Sequence, residues 1–173
     1  MEGPLYEDGE APTTSAGAML RFTKLDAKGR VRGQYAYPVD AIPIAASGGQ
    51  HRADNGVSEI LCIGQDKLLV IERSGHERSE GDFGFAIRIY EADFSDASNV
   101  APLSSLTTGR YRPATKRLLL DLGRAGLGRV DNIEAASWGP RLANGHASLV
   151  LMSDDNFLPS QVNQFIAIDV VPP

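Results

Sequence analysis

Two short runs near the C-terminal end of the chain gather oxygen-bearing side chains: Asp131-Asn132-Ile133-Glu134 and Ser153-Asp154-Asp155-Asn156-Phe157. Sets rich in carboxylate and amide oxygen and free of histidine suit hard cations, so Asp131, Asp154, Asp155 and Asn156 are candidate calcium ligands if strand pairing brings the two runs together. A calcium ion held there would neutralise a substrate phosphate and stabilise charge that develops during hydrolysis. The alternative is structural: Asp154, Asp155 and Asn156 form an Asx turn that ends a strand, with Asn132 doing likewise. The Asp-x-Asp-x-Asp-Gly spacing of an EF-hand loop is missing.

A second set consists of Glu59, Glu134 and Arg73. The two glutamates occupy matching places when Ser58–Gly64 is laid over Ile133–Gly139, and paired carboxylates do acid and base work when their surroundings separate their pKa values. Arg73 could bind a phosphate oxygen pair bidentately, or hold Glu72 or Glu59 in a structural ion pair. A serine-nucleophile reading of Ala135-Ala136-Ser137-Trp138-Gly139 fails because no helix is expected after it, and the Gly-x-Ser-x-Gly elbow needs a strand-to-helix turn. His51, His76 and His146 all fall in connections and are expected to be exposed, which leaves a catalytic triad or a zinc cluster without support. Cys62, the only cysteine, lies in an apolar run and reads as a buried thiol. Trp138 reads as a packing residue.

These side chains must be positioned by strands. Apolar residues come in short bursts bounded by Gly, Asp, Asn or Pro, without the sustained three-to-four-residue spacing of an amphipathic helix. Strands are expected near residues 19–25, 34–39, 57–63, 67–73, 85–93, 116–121, 131–138, 147–153 and 164–171. One short helix is conceivable at 98–105, interrupted by Pro102. Residues 47–55 and 74–83 read as polar loops, lids or disordered connections; Gly48-Gly49 lacks the Lys-Ser or Lys-Thr that a phosphate loop requires.

The strands repeat. Leu68–Arg73 can be set over Leu149–Asp154, Ala86–Tyr90 over Gln164–Ile168, and Leu20–Leu25 with Tyr35–Pro38 reads as the third and fourth strands of an earlier copy. Repeated four-stranded units are the signature of β-propeller blades. The fold class expected is therefore all-β, a partial β-propeller of about two and a half four-stranded antiparallel blades, spanning 1–45 (partial), 56–123 (complete) and 130–173 (partial). Glu59 and Glu134 would then face the central channel. Fewer blades than a closed ring needs implies missing N-terminal blades or self-association.

Bulk properties narrow the field. A net charge of −5 and a pI near 5.2 argue against a nucleic-acid surface. No apolar stretch approaches a membrane span, and the opening Met1-Glu2-Gly3-Pro4 is not a signal peptide.

Glu2-Gly3-Pro4-Leu5, Asp8-Gly9, Tyr35-Ala36-Tyr37-Pro38, Leu69-Val70-Ile71-Glu72-Arg73, Asp131-Asn132-Ile133-Glu134 and Ser153-Asp154-Asp155-Asn156-Phe157 follow one another in this order. In this the chain resembles the later part of the phytase-like domain, also called esterase-like activity of phytase. The resemblance implies a multi-bladed propeller, usually exported to the periplasm or secreted from bacteria. It also implies hydrolysis of a small-molecule ester or phosphoester; a noncatalytic ligand- or protein-binding propeller is the alternative. One residue departs from the pattern: Ala135 follows Asn-x-Glu where the family tends to have Gly.

Overall fold

A computed structural model describes residues 2–171. Met1, Pro172 and Pro173, which the outer expected segments include, lie outside the described residues. Nine strands run in chain order: β1 (Ala18–Leu25), β2 (Val31–Val39), β3 (Gly56–Cys62), β4 (Lys67–Ser79), β5 (Asp82–Asp93), β6 (Thr115–Asp121), β7 (Ile133–Trp138), β8 (Ala147–Ser153) and β9 (Phe165–Val170). Every pairing is antiparallel, in three sheets ordered β1-β2, β3-β4-β5-β6 and β7-β8-β9. The fold is all-β, and none of the described residues forms an α-helix.

The period of two along β4 explains how the sheets stack. Leu69 and Ile71 point to one face and join Ile87, Ile89, Ile133, Leu149 and Leu151 in a core between the second and third sheets. Val70 points to the other face and packs with Leu20, Phe22, Tyr37, Val39, Val57 and Ala92 between the first and second sheets. Because both faces of the middle sheet are covered along β4, its consecutive residues Leu69, Val70 and Ile71 are all buried. Phe22 stacks on Tyr37 at 5.0 Å between ring centroids, and on Phe94 at 5.5 Å. Strands β3 and β7 run beside each other, so the starts of two sheets meet at one corner.

Several expectations need correction. The short helix at 98–105 does not form. Pro102 lacks the N–H that a helix would use, and the 94–114 connection instead lies irregularly over the first sheet, burying Val100 and Leu106 on Ala36. Residues 74–83 are not a loop: β4 and β5 continue as a two-stranded ribbon to a turn at Glu80-Gly81, where Gly81 takes φ +72°. Segment 47–55 is docked on that ribbon. The N–H groups of Ser47 and Gly48 donate to the Glu77 carbonyl at 2.9 and 3.3 Å. The buried Glu77 carboxylate accepts from the Gln50 N–H at 2.8 Å and the Arg52 guanidinium at 3.0 Å. Gly49 has φ +57°, and a Cβ there would collide with that carboxylate, so this glycine is dictated by close approach as well as by backbone conformation.

The strand pairing also resets the repeat. A bulge between Val57 and Glu59 leaves Ser58 as the extra residue of β3, and a bulge between Ile133 and Ala135 leaves Glu134 as that of β7. Glu134 therefore matches Ser58, and Glu59 matches Ala135, one residue away from the sequence alignment. The third strands are offset by two residues: Ile89 pairs with Ile71 as Phe165 pairs with Met152. A shift of two keeps every side chain on its face, which is why the apolar pattern still matched.

Cys62 is exposed at the end of β3 and Trp138 is partly exposed on β7, against the burial expected of both. His76 is buried within β4, whereas His51 is exposed in a connection and His146 pairs with Asp169 at 2.8 Å.

Candidate functional site

Pairing Gly56 with Arg73 puts the Arg73 side chain at the corner where β3 and β7 begin. Its guanidinium is 13 % exposed and faces three carboxylates: Glu2 in direct contact, Glu134 at 3.6 Å from Nε and Asp54 at 3.9 Å from Nη1. The carboxylates themselves are open, with side-chain exposures of 59 % for Glu2, 39 % for Glu134 and 67 % for Asp54. At 3.6 Å the Glu134 contact is an ion pair and not a hydrogen bond, and Nε has no hydrogen-bond partner. The hydroxyl of Ser58, lifted by the β3 bulge, has none either. Two buried polar groups on neighbouring strands thus lack partners within the protein, a pattern rare in folded proteins that calls for an ordered water or a catalytic role.

Beside this corner lies a cavity of about 810 Å³, lined by Glu2, Ser58, Glu59 and Glu134 and walled by apolar side chains including Phe22 and Phe94. Of the expected catalytic residues, Arg73 and Glu134 come together. Glu59 reaches the same cavity, but its Oε1 accepts the N–H of Ile60 at 2.7 Å and it makes no ion pair with Arg73. Ser58 and Asp54 had no distinguishing sequence signal, and Glu2 was marked only as part of the Glu2-Gly3-Pro4-Leu5 motif; a bulge and a chain crossing bring them in.

The expected calcium ligands do not converge. Asp131 is fully buried and accepts from Arg129 at 2.5 Å and from the N–H groups of Asn132 and Val162 at 2.9 and 3.2 Å. Asp154 accepts the N–H of Asn156, and Asp155 accepts the N–H of Phe157 and the amide of Asn163. The Asn156 amide donates to Gln161, and Asn156 and Phe157 take φ +48° and +56°. These are turn-forming bonds. Among the described residues, no group of three or more His, Cys, Asp or Glu is arranged to hold a metal ion, so the four residues do not fit the calcium role.

A second charged cluster was not foreseen. Glu72 projects from β4 between the first two sheets, 1 % exposed, and accepts from Tyr37 Oη at 2.7 Å, Lys116 Nζ at 2.5 Å, the N–H of Asp40 at 3.1 Å and Asn55 Nδ2 at 3.3 Å. Lys116 also reaches Asp40 at 2.7 Å and lies over the Tyr90 ring at 4.2 Å, while the Tyr90 hydroxyl donates to Asp40 at 2.5 Å. Burial pushes the Tyr37 phenol well above its usual range, with the Glu72 charge adding to it, and burial and the Asp40 hydrogen bond do the same to Tyr90. Burial works to raise Asp40, but hydrogen bonds from Lys116 and Tyr90 outweigh it and hold the carboxyl below its usual range. With its acceptors so fully used, this network ties two sheets together. The signal for it was a glutamate on the core-facing side of an apolar strand.

Arg21 makes a comparable knot on the outer face of the first sheet. Its Nε and Nη2 bond Asp8 at 2.6 and 2.8 Å, and the remaining donors go to Gln34 Oε1 and the carbonyls of Val100 and Leu103. The Arg21 hydrogen bonds hold the Asp8 carboxyl below its usual range.

Residues 1–157 match the family model described as Phytase-like, esterase-like activity of phytase. The chain belongs to this phytase-like family. Membership suggests a hydrolase-type function. Neither a curated protein nor a solved structure matched the chain. The phytase-like motifs land on the charged clusters: Glu2 and Arg73 form the corner, Glu134 faces it, Asp8 anchors Arg21, and Tyr37 and Glu72 meet between the sheets. Ala135, the departure from the pattern, pairs regularly with Met152 after the bulge and needs no glycine. None of the described helical segments is long and apolar enough to cross a membrane.

Proposed function

We propose that this phytase-like chain hydrolyses small-molecule esters or phosphoesters at the Arg73–Glu134 corner. The observation that carries this is the pair of buried polar atoms without partners, Arg73 Nε and Ser58 Oγ, beside the open Glu134 carboxylate; Ser58 and Glu134 line the cavity of about 810 Å³, and Arg73 meets it through its ion pairs with Glu2 and Glu134. Both donors need an acceptor, and the oxygen of a carbonyl or phosphoryl group supplies one whose charge grows in the transition state. Glu134 serves as general base: it takes a proton from the attacking water, the water oxygen bonds to the acyl or phosphoryl centre, and the alkoxide leaves with that proton. Glu2 and Asp54 hold the guanidinium in place. Three carboxylates around one guanidinium leave the corner net negative, which favours a neutral carboxylic ester over a phosphate dianion. Calcium enters no step, because Asp131, Asp154, Asp155 and Asn156 are committed to turns and to Arg129.

The same reading treats the three stacked sheets as consecutive propeller blades, with β3 and β7 innermost and β1-β2 as the outer half of a blade. It is supported by the cores on both faces of the middle sheet and by the adjacency of β3 and β7. Export to the periplasm or beyond belongs to this proposal.

The test is turnover of p-nitrophenyl acetate and p-nitrophenyl phosphate with and without EDTA. Acetate turnover that survives EDTA and exceeds phosphate turnover is expected. Absence of turnover on both substrates would overturn the proposal and favour a noncatalytic binding module.

A further inference from the structure

The ribbon formed by β4 and β5 meets the third sheet across a second cavity, of about 590 Å³, lined by His76, Arg78, Phe83, Phe85, Arg129 and Ser160 among others. It shares none of its lining with the cavity at the Arg73 corner. Its two arginines are built alike. Arg78 Nη2 donates to Asp82 Oδ1 at 2.9 Å and to the Phe83 carbonyl at 3.0 Å. Arg129 Nη2 donates to Asp131 Oδ2 and to the Ser160 carbonyl, both at 2.5 Å. In each, one nitrogen fixes the guanidinium while Nε and Nη1 make no hydrogen bond to the described residues. Each guanidinium is about half exposed, held at one nitrogen, and presents its remaining donors in a planar fork.

Two carboxylates also line the cavity: Asp82, whose side chain is 39 % exposed and accepts from Arg78 through Oδ1, and Asp131. Asp131 is fully buried and shares its charge with the N–H groups of Asn132 and Val162 as well as with Arg129. The lining also includes His76, 9 % exposed, whose Nδ1 has no hydrogen-bond partner. Its ring lies over Gly84, where a Cβ would come within 2.6 Å of Nε2, so a glycine is needed to seat it. Phe83 and Phe85 supply apolar wall, and Arg52 lies over the Phe83 ring at 5.0 Å.

We infer that this cavity is a binding site for an oxyanion, carboxylate or phosphate, carried on an apolar or aromatic body, with Arg78 and Arg129 gripping the anion and Phe83 and Phe85 meeting the body. The site lies apart from the proposed hydrolytic corner and does not depend on it.

The test uses the full chain and follows the His76 imidazole resonance by NMR during titration with phenyl phosphate, benzoate and, as the neutral control, benzyl alcohol. A saturable shift with phenyl phosphate or benzoate but not with benzyl alcohol is expected, and the stronger anion assigns the group recognised. Arg78→Gln, whose native side chain hydrogen-bonds only Asp82 and the Phe83 carbonyl, should weaken binding by about tenfold or more relative to its own ligand-free spectrum, the effect of losing a charge-assisted contact. Arg73→Gln should leave the titration unchanged. No saturable shift with either anion, equal binding of the alcohol, or equal affinity in Arg78→Gln would overturn the inference.

Discussion

Single charged residues hold this molecule together where apolar packing alone would leave gaps. Glu72 is buried between two sheets with the largely covered Lys116 as its ion-pair partner, and removing Lys116 leaves the carboxylate its neutral hydrogen bonds but no counter-charge. Lys116→Met should therefore cost about 3 to 5 kcal/mol in urea denaturation, and a loss below about 1 kcal/mol would show the pair to be incidental. Glu77 sets a pH dependence. Its hydrogen bonds from Arg52, reinforced by main-chain N–H groups, push its pKa down from 4.5 to about 2. A depressed folded-state pKa contributes stability that is complete above the unfolded value and is lost as pH falls through the folded one. The melting temperature of wild type relative to Glu77→Gln should hence converge between pH 4.5 and pH 2; a constant difference across that window would contradict it. Ser58→Ala should lower kcat while leaving the melting temperature within about a degree, since its hydroxyl bonds nothing in the free protein.

At the level of elements, position in the sheet decides what each strand can tolerate. Ile71 lies at the centre of the core between the second and third sheets, 2 % exposed, so Ile71→Ala should destabilise by about 2 to 5 kcal/mol. Gly49→Ala should cost more than an ordinary surface change, on the order of 1 to 3 kcal/mol, because it adds a clash with Glu77 to a left-handed backbone; chemical denaturation measures both. The strands were legible because β-period alternation and Gly, Asp and Asn punctuation are local signals. The ribbon at 74–83 was not: its residues are polar, and what makes it a strand pair is the docking of segment 47–52 around Glu77. The bulges at Ser58 and Glu134 were invisible for a related reason, since a bulge is a property of two paired strands. This is why Glu59 was set over Glu134 when the register sets Ser58 there. Asp154-Asp155-Asn156 was open to a metal and to a turn reading because Asp-Asp-Asn serves both, and the hydrogen bonds of Asp154 and Asp155 are those of the turn.

On the scale of the whole molecule, the first sheet has two strands where the second has four, and the edge of β1 away from β2 pairs with no described strand. Leu25 and Ile60, both exposed, line the cavity beside that edge. An open edge next to apolar surface invites strand addition, so the chain should elute as a concentration-dependent assembly in sizing chromatography; a single monomeric peak at every concentration would count against an unfilled blade. The proposed hydrolytic corner is likewise a property of the assembled chain, because residue 2, β3, β4 and β7 each contribute a side chain to it. Its most direct test is the ratio of kcat/KM for p-nitrophenyl acetate between wild type and Arg73→Gln. The geometry predicts a fall on the order of 10² or more, as for loss of a donor to a developing oxyanion, with the fold retained. An active wild type matched by an equally active Arg73→Gln would place the chemistry elsewhere.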